Sequence, residues 1–177
     1  IGMAVGALAF YLGDTLIDRM GGDKRKSSSG AQADGSGLAI VLGAVLDGIP
    51  ESLVLGIGLL AGTGVSVAFL AAVFISNLPE GLAASAGLTA SGWPARRIIS
   101  LWTVVVVVSA LAAMAGFGMF DNASATTIAF VLSFAGGAVL TMLADTMMPE
   151  AFEHAGPLVG LFTTAGFALA FALHTIE

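Results

Sequence analysis

The chain is divided into apolar stretches of about 20 residues, the length an α-helix needs to cross a hydrocarbon core about 30 Å thick. Of its 177 residues, 57% are apolar and only 10% are charged, whereas a soluble domain carries about 25% charged residues. So few charges could not cover the surface of a soluble protein of this length. No stretch alternates with period two over the length of a strand, which argues against a membrane β-barrel. The sequence therefore predicts an all-α, polytopic transmembrane helix bundle.

Six spans are predicted, and together they form a single transmembrane domain over residues 1–177. Their approximate bounds are 1–17, 38–61, 65–90, 98–120, 127–148 and 157–176. The first span begins inside an apolar run at Ile1, so we expect the native N-terminal part to be missing. Residues 19–37 are rich in Gly, Ser, Lys and Asp, a composition that predicts a solvated loop between spans.

The basic residues predict how the bundle is oriented. All six lie in the first and third loops, at Arg19, Lys24, Arg25, Lys26, Arg96 and Arg97. Because Lys and Arg accumulate in cytoplasmic loops, these two loops are predicted to be cytoplasmic and the C-terminus external. We expect a multi-pass protein of the cell membrane, either a plasma membrane or a bacterial inner membrane. The absence of cysteine excludes disulfides and thiolate metal sites.

Two neighbouring spans carry a repeated motif near their centres. The two copies read Asp47-Gly48-Ile49-Pro50-Glu51-Ser52-Leu53 and Ser76-Asn77-Leu78-Pro79-Glu80-Gly81-Leu82. Each copy is a Pro-Glu pair followed by a small residue and Leu. Because adjacent spans run in opposite directions, the repeat predicts two helices related by a pseudo-two-fold axis near the midplane of the membrane.

The motif residues have the chemistry of a cation site. Asp47 and Glu51 are four residues apart and share one helix face, as do Ser76 and Glu80, with Asn77 a small rotation away. Carboxylates close together at low dielectric cannot all stay ionised without a proton or a cation. A divalent metal ion held by oxygen atoms of these five residues meets that requirement. Two alternatives remain open: a proton relay without metal, and carboxylates that only bond neighbouring helices.

These motifs resemble those of the ZIP family of zinc and iron transporters. Residues 76–83 are similar to the family motif H-N-x-P-E-G, and Asp47 to Ser52 form a looser match. Residues 138–151, with Pro149, resemble the family's penultimate helix, which ends in D-E-x-x-P-E-A. The resemblance implies that the six spans correspond to helices three to eight of an eight-helix ZIP fold. It also implies zinc-type divalent cation uptake into the cytoplasm through a midplane metal site, and it makes a homodimer plausible.

The chain departs from the family pattern at the metal positions. Asp47 and Ser76 stand where the family has His, and Gly48 stands where it has Asn. The sixth family helix often adds a carboxylate, but here Ala112 or Ala113 is expected at that place. The resulting all-oxygen site suits Mn²⁺ or Mg²⁺ better than Zn²⁺, which prefers imidazole. We expect one ion rather than two, with Zn²⁺ as the ion that the family implies.

A second group of polar residues lies at the end of the fifth span. Asp145, Glu150 and His154 could form a cytoplasmic exit site, and Glu150 and His154 are four residues apart. Asp14 and Asp18, at the end of the first span, could extend the same vestibule. The alternative is that these are solvated helix ends with a local Glu–His pair.

The sequence thus favours transport over other classes of function. There is no ATP-binding loop, so transport is expected to be secondary or passive. No nucleophile has a base nearby, so we expect no enzyme activity. The predicted partners are the lipid bilayer and a divalent metal ion as substrate, with no nucleic acid. The alternative is a membrane metal-binding or proton-sensing subunit that does not transport alone.

Overall fold

A computed structural model describes residues 1–22, 37–60 and 65–176. It contains seven α-helices: α1 Gly2–Ile17, α2 Gly37–Leu60, α3 Val67–Ala90, α4 Ala95–Met119, α5 Ala125–Met142, α6 Met148–Ala155 and α7 Val159–His174. No strand occurs in these described ranges. The predicted all-α class is therefore confirmed.

Four helical segments are long and apolar enough to cross a membrane. They are Ala39–Leu60, Val67–Ala90, Ala95–Met119 and Ala125–His174. The last has 50 residues and runs through α5, α6 and α7, whereas α1 has 16 residues, fewer than the roughly 20 of a typical span. A helix lies at each of the six predicted spans, but the count of six crossings is not confirmed. Lys24, Arg25 and Lys26 lie outside the described residues, and the orientation stays a prediction.

Helices α1 and α5 pack at backbone distance because glycines line their contact. Gly6 lies directly against the backbone of Phe134, and Gly137 lies against the backbone of Met3. A methyl group at either glycine would overlap the facing main chain, so only glycine permits this approach. Small residues of this kind allow membrane helices to pack closely. The interface is closed by the buried side chains Phe10, Ala138 and Met142.

Helices α2 and α4 pack in the same way, and their contact holds the first motif in place. Gly56 of α2 lies directly against the carbonyl of Ala113, and a Cβ at Gly116 of α4 would lie 2.5 Å from the carbonyl oxygen of Leu53. Gly48 lies near Ser109 and Gly56 lies against Ala113, so α2 and α4 run in the same direction. These contacts hold the backbone of α2 against that of α4 at one to two turns beyond the Asp47–Glu51 segment.

The start of α2, the end of α3 and the start of α4 are joined by an apolar cluster. The Trp102 Nε1–H donates to Ser85 Oγ at 2.8 Å, which ties α4 to α3. At the same end of the bundle, the Arg97 guanidinium lies 3.7 Å from the centre of the Trp93 ring, a favourable cation–π arrangement. The buried members of the cluster are Ile40, Leu88, Ile98 and Leu101.

A wider turn interrupts the long helical segment after α5. Residues Leu143–Met147 form a π-helix that leads directly into α6. Pro149 lacks an N–H, and its ring would clash with the carbonyl of Asp145 in a regular α-helix. A π-turn before the proline relieves that clash, and such turns often occur at functional sites. Helix α6 ends at Gly156, whose φ of 56° is one that glycine adopts readily.

Candidate metal-ion site

Asp47 and Glu51 lie in the interior of the bundle on α2. Asp47 is 3% exposed and Glu51 is 6% exposed, and they are the only charged side chains so deeply buried among the described residues. Pro50 between them is also buried, and α2 continues through it. Ionisable residues inside a membrane span are rare and indicate a functional site by default. Both acids are therefore too deeply buried to serve as solvated surface residues.

The electrostatics of this pair call for a compensating charge. Residues four apart on a helix have Cβ atoms about 5–6 Å apart. At an effective dielectric constant near 20, two negative charges at about 5.5 Å repel each other by about 3 kcal/mol. Burial adds the cost of removing each charge from water. A proton on one carboxyl or a cation between both removes most of this repulsion.

Asn77 of α3 connects the second motif to the first. Its Nδ2 donates to Glu51 Oε2 at 3.0 Å and to the carbonyl of Val73 at 2.9 Å. A main-chain carbonyl is only an acceptor, so the amide nitrogen must face Val73 and Glu51. The amide oxygen Oδ1 is then the ligand atom that Asn77 could offer an ion. The structure therefore brings the two Pro-Glu motifs into contact.

Ser76 and Glu80, the other two predicted ligands from the second motif, also lie on α3. Ser76 is half-buried and donates its hydroxyl to the carbonyl of Val73 at 3.0 Å. Glu80 is also half-buried. Across the described ranges, no three His, Cys, Asp or Glu side chains form a cluster that could hold a metal. Glu80 therefore does not join Asp47 and Glu51 in a three-acid cluster here, and the five-residue ligand set stays a prediction.

Helix α4 approaches the first motif through a residue that the sequence did not single out. The Ser109 hydroxyl lies 3.2 Å from where a Cβ of Gly48 would be. Ala113, one of the two alanines expected at the place of the family's sixth-helix carboxylate, lies against Gly56, and that expectation stays a prediction. The spacing of small residues on α2 and α4 could have indicated this contact. Gly48 and Gly56 are eight residues apart, and Ser109 and Gly116 are seven apart, so two stripes of small residues pair along parallel helices.

The residues of the second predicted site lie on the π-turn and on helix α6. Asp145 lies exposed in the π-turn, Glu150 is half-buried and His154 is exposed. His154 Nδ1 lies 2.9 Å from the backbone carbonyl oxygen of Glu150, so this ring nitrogen contacts the main chain rather than the carboxylate. Asp14 is half-buried and Asp18 is exposed at the end of α1. A role in ion exit stays a prediction for these residues.

A groove of about 370 Å³ lies between α2, α3 and α5. Every residue that lines it is apolar, including Val54 and Phe69, so it offers an ion no ligand. The oxygen atoms suited to a cation lie instead at the buried motif pair. That this pair holds a cation stays a prediction.

Comparison with known proteins identifies a relative. The chain is 28% identical over 160 residues to a protein of Arabidopsis thaliana named "Putative zinc transporter". The matched region covers 88% of this chain and 25% of the relative, so the chain spans about a quarter of the relative's length. No protein-family model matches the chain, and no solved structure matches it significantly.

Proposed function

We propose that this chain forms the membrane part of a divalent metal-cation transporter that moves its substrate into the cytoplasm. The observation that carries the proposal is the buried Asp47–Glu51 pair, joined to the neighbouring motif by Asn77. The similarity to a protein named as a zinc transporter supports a metal ion as the substrate. We propose secondary or passive transport as the mode, since these 177 residues contain no ATP-binding loop.

In this proposal each motif residue has a defined task. Asp47 and Glu51 supply negative charge, and the ion relieves their mutual repulsion of about 3 kcal/mol. Asn77 Oδ1 and the Ser76 hydroxyl are neutral oxygen ligands from α3. Glu80 lies one turn beyond Ser76 and completes the charge of the site when α3 closes on the ion. Alternating access requires at least two such arrangements of α3 relative to α2.

The identity of the ion follows from two arguments that point in different directions. The relative's name and the ZIP resemblance favour Zn²⁺. All ligands offered here are oxygen atoms, which Mg²⁺ and Mn²⁺ prefer, whereas Zn²⁺ is more often held by imidazole or thiolate. We therefore propose a site that accepts harder divalent ions at least as well as Zn²⁺.

Uptake by proteoliposomes tests the proposal directly. Vesicles that hold the protein are loaded with an ion-sensitive dye and offered Zn²⁺, Mn²⁺ or Mg²⁺. The wild type should carry at least one ion, and Glu51→Gln should abolish that uptake. Glu153→Gln, which changes an exposed acid on α6, should leave uptake unchanged. Equal uptake by wild type and Glu51→Gln would contradict the proposed site. Ion binding without flux would favour a metal-binding or proton-sensing subunit.

A further inference from the structure

The short turn between α3 and α4 lies at the surface of the membrane. Helix α3 has 24 residues and α4 has 25, which at 1.5 Å per residue makes each about 36–38 Å long. The hydrocarbon core of a bilayer is about 30 Å thick, so both helices extend beyond it. The turn that joins them, at 91–94, therefore lies at the level of the lipid headgroups.

Two arginines lie at the start of the second of these helices. Arg96 and Arg97 occupy the first turn of α4, and both side chains are exposed. Cations are unfavourable at this end of a helix, because the helix dipole has its positive end there. The first turn of α4 contains no acidic residue that would offset this cost. The arginine pair therefore does not stabilise α4 itself, and its charge is open to the membrane surface.

The helix ends that meet here carry no acidic residue to balance the two arginines. Residues 37–46 of α2, 81–90 of α3 and 95–104 of α4 contain no Asp or Glu. These three segments meet in the apolar cluster at this end of the bundle. Within the described ranges, neither Arg96 nor Arg97 forms an ion pair. The surface that they form is therefore complementary in charge to an anion.

Trp93 restricts the position of the Arg97 guanidinium. The guanidinium carbon lies over the Trp93 ring, 3.7 Å from its centre, and the ring itself is half-buried against the apolar cluster. A guanidinium that contacts a ring through its face keeps the N–H donors at its edge available. Two such donors match two oxygen atoms of a phosphate group. The cation–π contact therefore leaves Arg97 able to bind a phosphate.

We propose that Arg96, Arg97 and Trp93 form a binding site for the headgroup of an anionic phospholipid. The two guanidinium groups bind the phosphate, and Trp93 lies at the headgroup level, where tryptophan is enriched in membrane proteins. Ile99, which is 65% exposed one turn further along α4, offers an apolar surface to the acyl chains. The leaflet is the one predicted to be cytoplasmic, where anionic lipids accumulate. This site is separate from the proposed ion site and does not depend on transport.

Quenching of tryptophan fluorescence by brominated lipids tests the proposal. Trp93 and Trp102 are the two tryptophans of the chain, and both pack on the apolar cluster beside the arginines. The protein is reconstituted in vesicles of phosphatidylcholine and phosphatidylglycerol, with bromine on the acyl chains of one lipid at a time. The ratio of the two quenching constants measures the preference for the anionic lipid. The wild type should prefer phosphatidylglycerol at least about fivefold, the effect of one basic residue at an anionic surface.

Three variants separate a specific site from the general charge of the surface. The double variant Arg96→Gln/Arg97→Gln should lower the preference to about one, because both phosphate ligands are lost. Arg97→Lys keeps the charge but lacks the planar pair of donors, and it should lower the preference at least about twofold. The matched control is Arg19→Gln, which removes an exposed positive charge from the same predicted side of the membrane. It should keep the wild-type preference.

Four results would overturn the proposal. The first two are an equal preference for both lipids in the wild type and an undiminished preference in the double variant. The third is a decrease in Arg19→Gln as large as in the double variant, since general surface charge would then explain the binding. The last concerns a soluble ligand. Excess glycerol phosphate in the buffer should leave the lipid preference unchanged, and its loss would assign the arginines to a soluble phosphate ester instead.

Discussion

The substitution Asp47→Asn tests whether the two buried acids form a repulsive pair. Asparagine keeps the shape of the side chain and removes its charge. Without metal, the variant should be at least as stable as the wild type. Its free energy of unfolding should rise by up to about 3 kcal/mol if both acids are ionised in the wild type, and by nothing if a proton already neutralises the pair. If Asp47 only makes structural hydrogen bonds, the substitution should instead destabilise the protein. An amide in place of the carboxylate would then leave hydrogen-bonding groups unsatisfied, at a cost of about 1–3 kcal/mol.

The assay is unfolding of the protein in detergent micelles at pH 8, with and without Mn²⁺. At an ion concentration of about 100 times Kd, a single site stabilises the wild type by about 2.7 kcal/mol. Asp47→Asn should show much less ion-dependent stabilisation, whereas Asp121→Asn, at an exposed position, should behave like the wild type. A loss of more than about 1 kcal/mol in metal-free Asp47→Asn, with the ion effect intact, would refute the reasoning.

Further substitutions test the helix packing and the contact between the two motifs. Gly56→Ala should lower the melting temperature because its Cβ meets the Ala113 backbone, whereas Gly58→Ala, in open space, should raise stability by up to about 1 kcal/mol. Trp102→Phe should lower the free energy of unfolding, measured with denaturant, by about 1 kcal/mol. This loss should be largely absent in a protein that already carries Ser85→Ala. An undiminished loss there would argue against the Trp102–Ser85 hydrogen bond. Asn77→Ala removes the hydrogen bond to Glu51 and should weaken Mn²⁺ binding about tenfold in a titration; unchanged affinity would remove Asn77 from the site.

Hydropathy and motif spacing predicted most of the helical framework. The apolar windows located α2, α3 and α4 to within a few residues, because a span needs a fixed length of apolar chain. The repeated Pro-Glu motif predicted that α2 and α3 face each other, and the bond between Asn77 and Glu51 shows that contact. The number of crossings could not be settled in this way. Residues 125–174 form one continuous helical segment of 50 residues, although Asp145, Glu150 and Glu153 interrupt its apolar sequence.

The contacts between helices that are distant in sequence were much harder to predict. Hydropathy gives the length of a span but not its rotation or its partners. In this bundle those are set by backbone contacts at glycines such as Gly6 and Gly56. For that reason the approach of Ser109 to Gly48 was not predicted from the sequence. Spacing left two interpretations of Glu150 and His154 open, an ion shared by both and a local pair, and it did not predict the contact of His154 Nδ1 with the main-chain carbonyl of Glu150.

The position of a bound ion tests the central claim most directly. Crystals of the protein grown in a lipid phase and soaked with Mn²⁺ can be measured at the manganese absorption edge, where anomalous scattering locates the metal. We predict one peak at about 2.0–2.6 Å from carboxylate oxygens of Asp47 and Glu51, the range for hard divalent ions, and no such peak in Glu51→Gln crystals. A peak at Glu150 and His154 alone, or one that persists in Glu51→Gln, would contradict the account.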